Sequence, residues 1–330
     1  MIITRTPLRI SFLGGGSDLP SFYREEPGAV ISAAINKYIY ITVNRKFDRR
    51  IRASYSVTEM VDRPEDLSHE LIRGALQQVG IDGGVEITSI SDVPSRGTGL
   101  GSSSSYTVGL LNALWAHAGR LAGSERLAGE ACHIEIDVCG KPIGKQDQYI
   151  AAYGGLQYIQ FNGDDSVFVD PILPEPELRR LLESRLLLLY TGLTRSAGGI
   201  LQEQSTNLRE NGEARAAVRA MVKLAEELRG ALSDGDLDSF GELLDAGWQE
   251  KRKVASGVTS PAIDDWYARA RASGALGGKL LGAGGGGFLL LYAPLERHQE
   301  IQAALPELRA VPFRFEPQGS KIIYVEEQQD

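Results

Sequence analysis

The sequence predicts an α+β protein built from two domains. Three observations carry that expectation. At 330 residues the chain is long for one core and suits two of ordinary size. Strand-like and helix-like periodicities alternate up to residue 161, and a polar, proline-rich stretch over 162–176 then interrupts them. The uninterrupted apolar run from Leu186 to Tyr190 opens a second α+β unit, so the boundary is set at 1–172 and 173–330.

Residues 2–6 and 9–12 are expected as extended segments separated by Pro7, which cannot donate to a ladder. Residues 30–34 and 38–43 alternate β-branched and aromatic side chains and predict further strands, and 65–79 predicts a helix. Val85, Ile87 and Ile90 alternate as a strand, followed after a loop by Leu110, Leu111, Leu114, Trp115 and Ala118, one apolar stripe of a helix. Ser124 is placed as the cap of a helix whose inner face is Leu127, Ala131 and Ile134, with Glu135 off that face and Gly140 ending it. A strand is expected at 156–161. In the second unit, helices are expected near 202–211, 214–232 and 237–253, a helix after Ser260-Pro261, and strands at 288–292 and 321–325.

The composition, 42% hydrophobic and 24% charged, is that of a globular protein. A formal net charge of −8 argues against nucleic acid or an acidic membrane surface as the main partner, because both demand clustered Lys and Arg. No secretory leader pattern or long apolar span is evident, so a cytoplasmic location is expected. Cys132 and Cys139 are the only cysteines, without CxxC spacing, and the four histidines are scattered, which predicts no zinc site.

The run DVPSRGTGLGSSSSY, residues 92–106, lies between a predicted strand and a predicted helix. Glycines there leave backbone N–H groups free, and serines in a helix's first turn add hydroxyls beside the positive end of its dipole, which together form an anion site. A Walker A loop is excluded because no Lys-Ser/Thr follows the last glycine, and a dinucleotide fingerprint fails because Ser102 stands where its third glycine belongs. A formal GxGxxG at Gly282, Gly284 and Gly287 leads into a strand, so it lacks the helix that would bind pyrophosphate. Near the start, Gly14-Gly15-Gly16-Ser17-Asp18 marks a sharp turn or a close ligand approach, with Asp18 offering a carboxylate. Later, GKPIGKQDQ at 140–148 delivers Lys141, Lys145 and Asp147 ahead of an apolar segment. Asp147 there is either a helix cap or a functional carboxylate kept ionised by Lys145.

The runs PLRISFLGGGSDLP, PSRGTGLGSSSSY, GKPIGKQDQ and KLLGAGGGGF, in this order from Pro7 to Phe288, resemble the GHMP kinase superfamily. The resemblance implies an N-terminal domain like domain 2 of ribosomal protein S5, a ferredoxin-like C-terminal domain, and ATP-dependent phosphorylation of a small molecule between them. It implies that Gly97, Gly99, Leu100, Gly101, Ser102, Ser103 and Ser104 wrap the ATP phosphates, that Ser103 and Glu135 hold Mg²⁺, and that Asp147 and Arg9 are catalytic. Gly15, Gly16, Ser17 and Asp18, with Gly284, Gly285 and Gly286, are implied to meet the acceptor. The GGGSDLP pattern is most similar to the sugar-1-kinase branch that acts on D-glycero-α-D-manno-heptose 7-phosphate. Gly15 replaces an acidic residue of galactokinases, and Lys37, Arg195, Lys251 and Lys253 are candidates for a substrate phosphate. A galactokinase- or fucokinase-like enzyme, or a non-catalytic sugar and ATP sensor, is the alternative. Partners are then ATP and a small sugar or sugar phosphate, in a monomer or homodimer.

Overall fold

A computed structural model describes residues 1–94, 97–194 and 197–326. The chain opens with β1 (Ile2–Leu13), a short α1 (Pro20–Tyr23) and β2 (Gly28–Arg45). The breaks expected in both strands do not occur. Pro7 sits inside β1, opposite Tyr38, and the register shifts between Pro7 and Leu8. The bulge absorbs the missing donor without ending the ladder. Next come β3 (Ile51–Ser54), β4 (Thr58–Val61), α2 (Glu70–Val79), β5 (Val85–Ser91) and α3 (Ser102–His117). Then follow α4 (Ser124–Cys132), a π-helical turn (His133–Val138), α5 (Gln146–Tyr153), β6 (Leu156–Phe161) and β7 (Val167–Pro171).

Two details of this stretch depart from expectation. Ser124 is the first helical residue rather than the cap, and the capping position falls on Gly123. The helix after it widens into the π turn, which carries Glu135 inward to complete burial instead of leaving it off the apolar face. Helix α3 is buried on nearly all sides, more than one stripe implies, because β1 and β2 lie on one side and α2, α4 and α5 on the others. Gly109 sets its distance from the sheet: Thr4 Oγ1 donates to its carbonyl at 2.9 Å, and an added Cβ would stand 2.5 Å from Thr6 Oγ1.

The second unit runs α6 (Pro176–Arg185), β8 (Leu186–Tyr190), α7 (Ala197–Glu210), α8 (Gly212–Asp234), α9 (Asp238–Lys251) and α10 (Pro261–Ala272). It continues with β9 (Gly277–Leu280), β10 (Phe288–Tyr292), α11 (His298–Ala304) and β11 (Arg309–Ala310), and the chain ends on β12 (Lys321–Val325). Ser260 Oγ accepts from Ile263 N, the cap that Ser260-Pro261 predicts. The four antiparallel strands order β11-β8-β10-β9, the fourth-first-third-second arrangement of a ferredoxin-like sheet.

The first sheet has eight strands and centres on β2, which pairs with β1, β5 and β6. Its edge strand β12 comes from the far end of the chain and pairs with β1. One apolar cluster joins the sheets: Phe12 of β1 meets Phe240 of α9 edge-on at 5.4 Å, and Phe240 meets Tyr292 of β10 at 4.8 Å. Among the described residues, no helix is long and apolar enough to cross a membrane.

Candidate active site

Two cavities meet over the start of α3. The first, about 600 Å³, lies between the sheets and is lined by β1, the Gly15–Asp18 turn, the 97–104 loop, the 141–147 segment, α7, Lys251, Lys279 and the Gly282 turn. The second, about 670 Å³, lies among β5, α2 and α3. Ser102, Ser103 and Lys141 line both.

The 97–101 loop ends in Gly101, which takes a left-handed conformation before α3 and, having no side chain, makes no side-chain cap bond to that helix. The first turn of α3 therefore starts beside the cavity without a cap from its N-cap residue. Behind the loop stands the Gly282 turn. A Cβ on Gly99 would overlap Leu281 O, and one on Gly282 would lie 2.6 Å from Gly99 Cα, so the two glycine runs need each other to be bare. Gly284, Gly285 and Gly286 are not among the residues that line the cavity. Gly284 is held against Val258 and Gly286 against Leu193, whereas it is Gly282 and Ala283 that line the cavity.

Asp147 sits in the first turn of α5 but makes no cap, because the position before that helix is Lys145, without a side-chain cap bond. The carboxylate is gripped by Arg9: Nε donates to Oδ1 at 2.7 Å and Nη2 to Oδ2 at 2.6 Å. The third arm, Nη1, donates to Gly99 O, so one guanidinium ties the carboxylate to the phosphate loop. Lys145 does not face Asp147 at all. Its Nζ donates to Asp165, at 2.9 Å to Oδ1 and 3.0 Å to the carbonyl.

Glu135 is fully buried, and burial pushes its carboxyl above the usual carboxylate range. Ser103 Oγ donates to its Oε1 at 2.5 Å and Gln148 Nε2 to its Oε2 at 2.7 Å, with Lys141 Nζ 3.9 Å away. A buried carboxylate beside a serine hydroxyl, without a full ionic contact at hydrogen-bond distance, is a hard oxygen set suited to Mg²⁺.

In the turn after β1, Asp18 is buried and its carboxyl is likewise raised by burial. It accepts from Gly16 N at 2.9 Å and Gln146 N at 3.3 Å, and a Cβ on Gly144 would overlap it. Gly15 and Gly16 line the cavity with it. Ser17 does not, being turned away to exchange hydrogen bonds with Ala29. Of the candidate phosphate cations, Lys251 lines the cavity, Lys37 does not, and Lys253 points outward to Glu250 at 2.7 Å. Arg195, like Ser95 and Arg96 of the central motif, lies outside the described residues.

Sequence reasoning missed four groups. Lys279 of β9 and Gln204 of α7 are buried and line the first cavity; Ser11 and Gln146 line it too, and their Oγ and Oε1 have no hydrogen-bond partner among the described residues. A lone lysine in an apolar strand was the available signal for Lys279, and nothing local marked Gln204. The second cavity was also unforeseen. Its wall carries Tyr55, His69 and Tyr106, with the His69 ring 4.6 Å from Tyr55 and 5.4 Å from Tyr106, and a Tyr106 hydroxyl without a partner among the described residues.

Both halves of the chain match one family in order: the GHMP kinases N terminal domain over residues 67–155 and the GHMP kinases C terminal domain over 221–310. The chain belongs to the GHMP kinases. As a GHMP kinase it is a phosphotransferase. It is 29% identical to D-glycero-alpha-D-manno-heptose 7-phosphate kinase of Campylobacter jejuni, over 97% of this chain and 98% of that one. It is 26% identical to the bifunctional fucokinase/GDP-fucose pyrophosphorylase of Arabidopsis thaliana, over 91% of this chain but 31% of that larger protein. The crystal structure of a D-glycero-D-manno-heptose 1-phosphate kinase from Bacteroides thetaiotaomicron superposes with a TM-score of 0.82 at 27% identity, covering 99% of this chain and all of that one.

Proposed function

We propose that the protein transfers the γ-phosphoryl group of ATP to the anomeric hydroxyl of a sugar, with D-glycero-α-D-manno-heptose 7-phosphate as the acceptor. The observation that carries this reading is the junction of the cavities: Ser102, Ser103 and Lys141 line both, and Asp147 and Arg9 stand beside it on the first-cavity side. The nucleoside takes the second cavity, its phosphates follow the 97–101 loop to the uncapped start of α3, and the sugar takes the first. The names of the relatives, which act on heptose phosphates and on fucose, support a sugar acceptor.

Phosphoryl transfer asks for positioning and for positive charge around the moving group. The acceptor hydroxyl donates to Asp147, attacks the γ-phosphorus as its proton passes to that carboxylate, and ADP departs with the bonding pair. Arg9 fixes the carboxylate's plane, Lys141 and the first-turn N–H groups of α3 face the phosphates, and Asp18 orients ring hydroxyls. Ser103 and Glu135 would hold Mg²⁺, which when bound neutralises phosphate charge. Residues 1–172, with the returning β12, form the ATP-binding unit, and 173–320 close the acceptor side.

The test is ADP release across heptose 7-phosphate, heptose, galactose, fucose and mannose. The heptose phosphate should give the highest kcat/KM. A better rate with galactose or fucose would replace the acceptor, and intact ATP binding without turnover on any sugar would make the protein a sensor.

A further inference from the structure

Two lysines in the acceptor cavity have more donors than the described residues have acceptors for. Lys251 Nζ donates to Gly15 O at 3.1 Å and Gln204 Oε1 at 3.0 Å, and Lys279 Nζ donates to Phe12 O at 2.9 Å. An ammonium has three N–H donors, so one is left on Lys251 and two on Lys279. Both side chains are buried, and every acceptor named is neutral. Of the two carboxylates lining the cavity among the described residues, Asp147 is held by Arg9, and Asp18 accepts from two backbone N–H groups, one on each oxygen. The buried hydroxyl of Ser11 opens on the same cavity with no partner among the described residues.

A neutral sugar could accept some of these hydrogen bonds, but it brings no charge to offset two ammonium groups removed from water. A phosphate brings two charges and three acceptor oxygens. Given the acceptor-cavity assignment above, on which this rests, we infer that Lys251 and Lys279 form an anion subsite that takes the phosphate already present on the acceptor. Burial holds Lys251 down to about 8 and Lys279 to about 7. The charged groups facing them are Asp18 for Lys251, and Lys251, Arg9 and Asp18 for Lys279.

Calorimetric binding at pH 8 without ATP, in two buffers of different ionisation heat, tests the subsite with heptose 7-phosphate and with dephosphorylated heptose. A phosphate ester is already dianionic at that pH, its second pKa being near 6. The phosphorylated sugar should therefore draw about one proton or more onto the lysines, given groups near 7 and 8, and the neutral sugar should draw none. It should also bind about 10²-fold more tightly. Lys251→Met and Lys279→Met keep the length and apolar stem of the side chain. Each should cut both the preference for the phosphorylated sugar and the proton uptake. If both variants keep the wild-type preference, the phosphate sits elsewhere and the inference is wrong. If the wild-type enzyme turns over neutral and phosphorylated sugars alike, the subsite fails while the kinase reading stands. If no sugar binds or turns over, the reading of the cavity itself fails.

Discussion

Replacing Asp147 by Asn changes one oxygen to an amide nitrogen and removes one charge at the centre of the site. Arg9 now meets one acceptor and one donor, so one of its two charge-assisted bonds is lost, worth about 1.5–3 kcal/mol. Arg9 is 4% exposed, and water will not replace that bond fully, yet Gly99 O still holds Nη1. A loss of that size is below the ~5–15 kcal/mol stability of ordinary domains, so Asp147→Asn should fold. Turnover should suffer far more. A positioned proton acceptor contributes about 10²–10⁴-fold, or roughly 3–5 kcal/mol of barrier. ATP binding should survive or tighten, because Arg9 keeps its charge without a carboxylate beside it. A coupled ADP-release assay at saturating acceptor, nucleotide calorimetry and a thermal melt separate these effects. Turnover within about threefold of wild type in the folded variant would refute the argument, since a loss under about 1 kcal/mol leaves no room for a proton acceptor.

Glu135→Gln should raise the Mg²⁺ concentration for half-maximal rate, because an amide oxygen is a weaker ligand for a hard cation; an unchanged titration would remove Glu135 from the metal site. Gly144→Ala should displace the Asp18 carboxylate that its Cβ would overlap, with kcat/KM for the acceptor falling on the order of 10²-fold while the Kd for ATP holds; equal losses on both substrates would count against separate cavities. Lys279→Met should raise the stability of the unliganded protein near pH 7, measured by denaturant unfolding. The unfolded chain keeps the lysine proton up to its ordinary 10.5 while the folded chain releases it near 7, so wild-type stability rises with pH across that window and the variant's advantage, a few kcal/mol at most, shrinks toward pH 10. An advantage that does not vary with pH would mean that Lys279 is not a buried titrating group.

Much of the candidate site was legible in the chain because a loop of bare backbone donors is a local property. A glycine run and a serine-started helix are consecutive residues, and most of Gly97 to Ser104 line the cavity without help from distant residues in marking it. Both classes of secondary structure were likewise readable where periodicity was strong, as in α8, β8 and β10. What the sequence could not supply were partnerships across the fold. Lys145 stands two residues from Asp147 and turns away to Asp165; Arg9, 138 positions distant, takes the carboxylate, and only the family resemblance, not the local residues, set those two together. Pro7 looked like a strand break, and only the pairing with β2 made room for a bulge around it. Glu135 was read from an α-helical wheel, but one π turn rotated it into the interior. Lys251, a candidate for a substrate phosphate, and Lys279, a lone lysine among apolar residues, belong to different elements of the second unit, and nothing local says that they share one cavity. Their burial, and the cavity between them, arise because the Phe12, Phe240 and Tyr292 cluster draws the two sheets together. Local hydrogen bonding is encoded by neighbouring residues, whereas desolvation depends on what the rest of the chain places on top of a side chain.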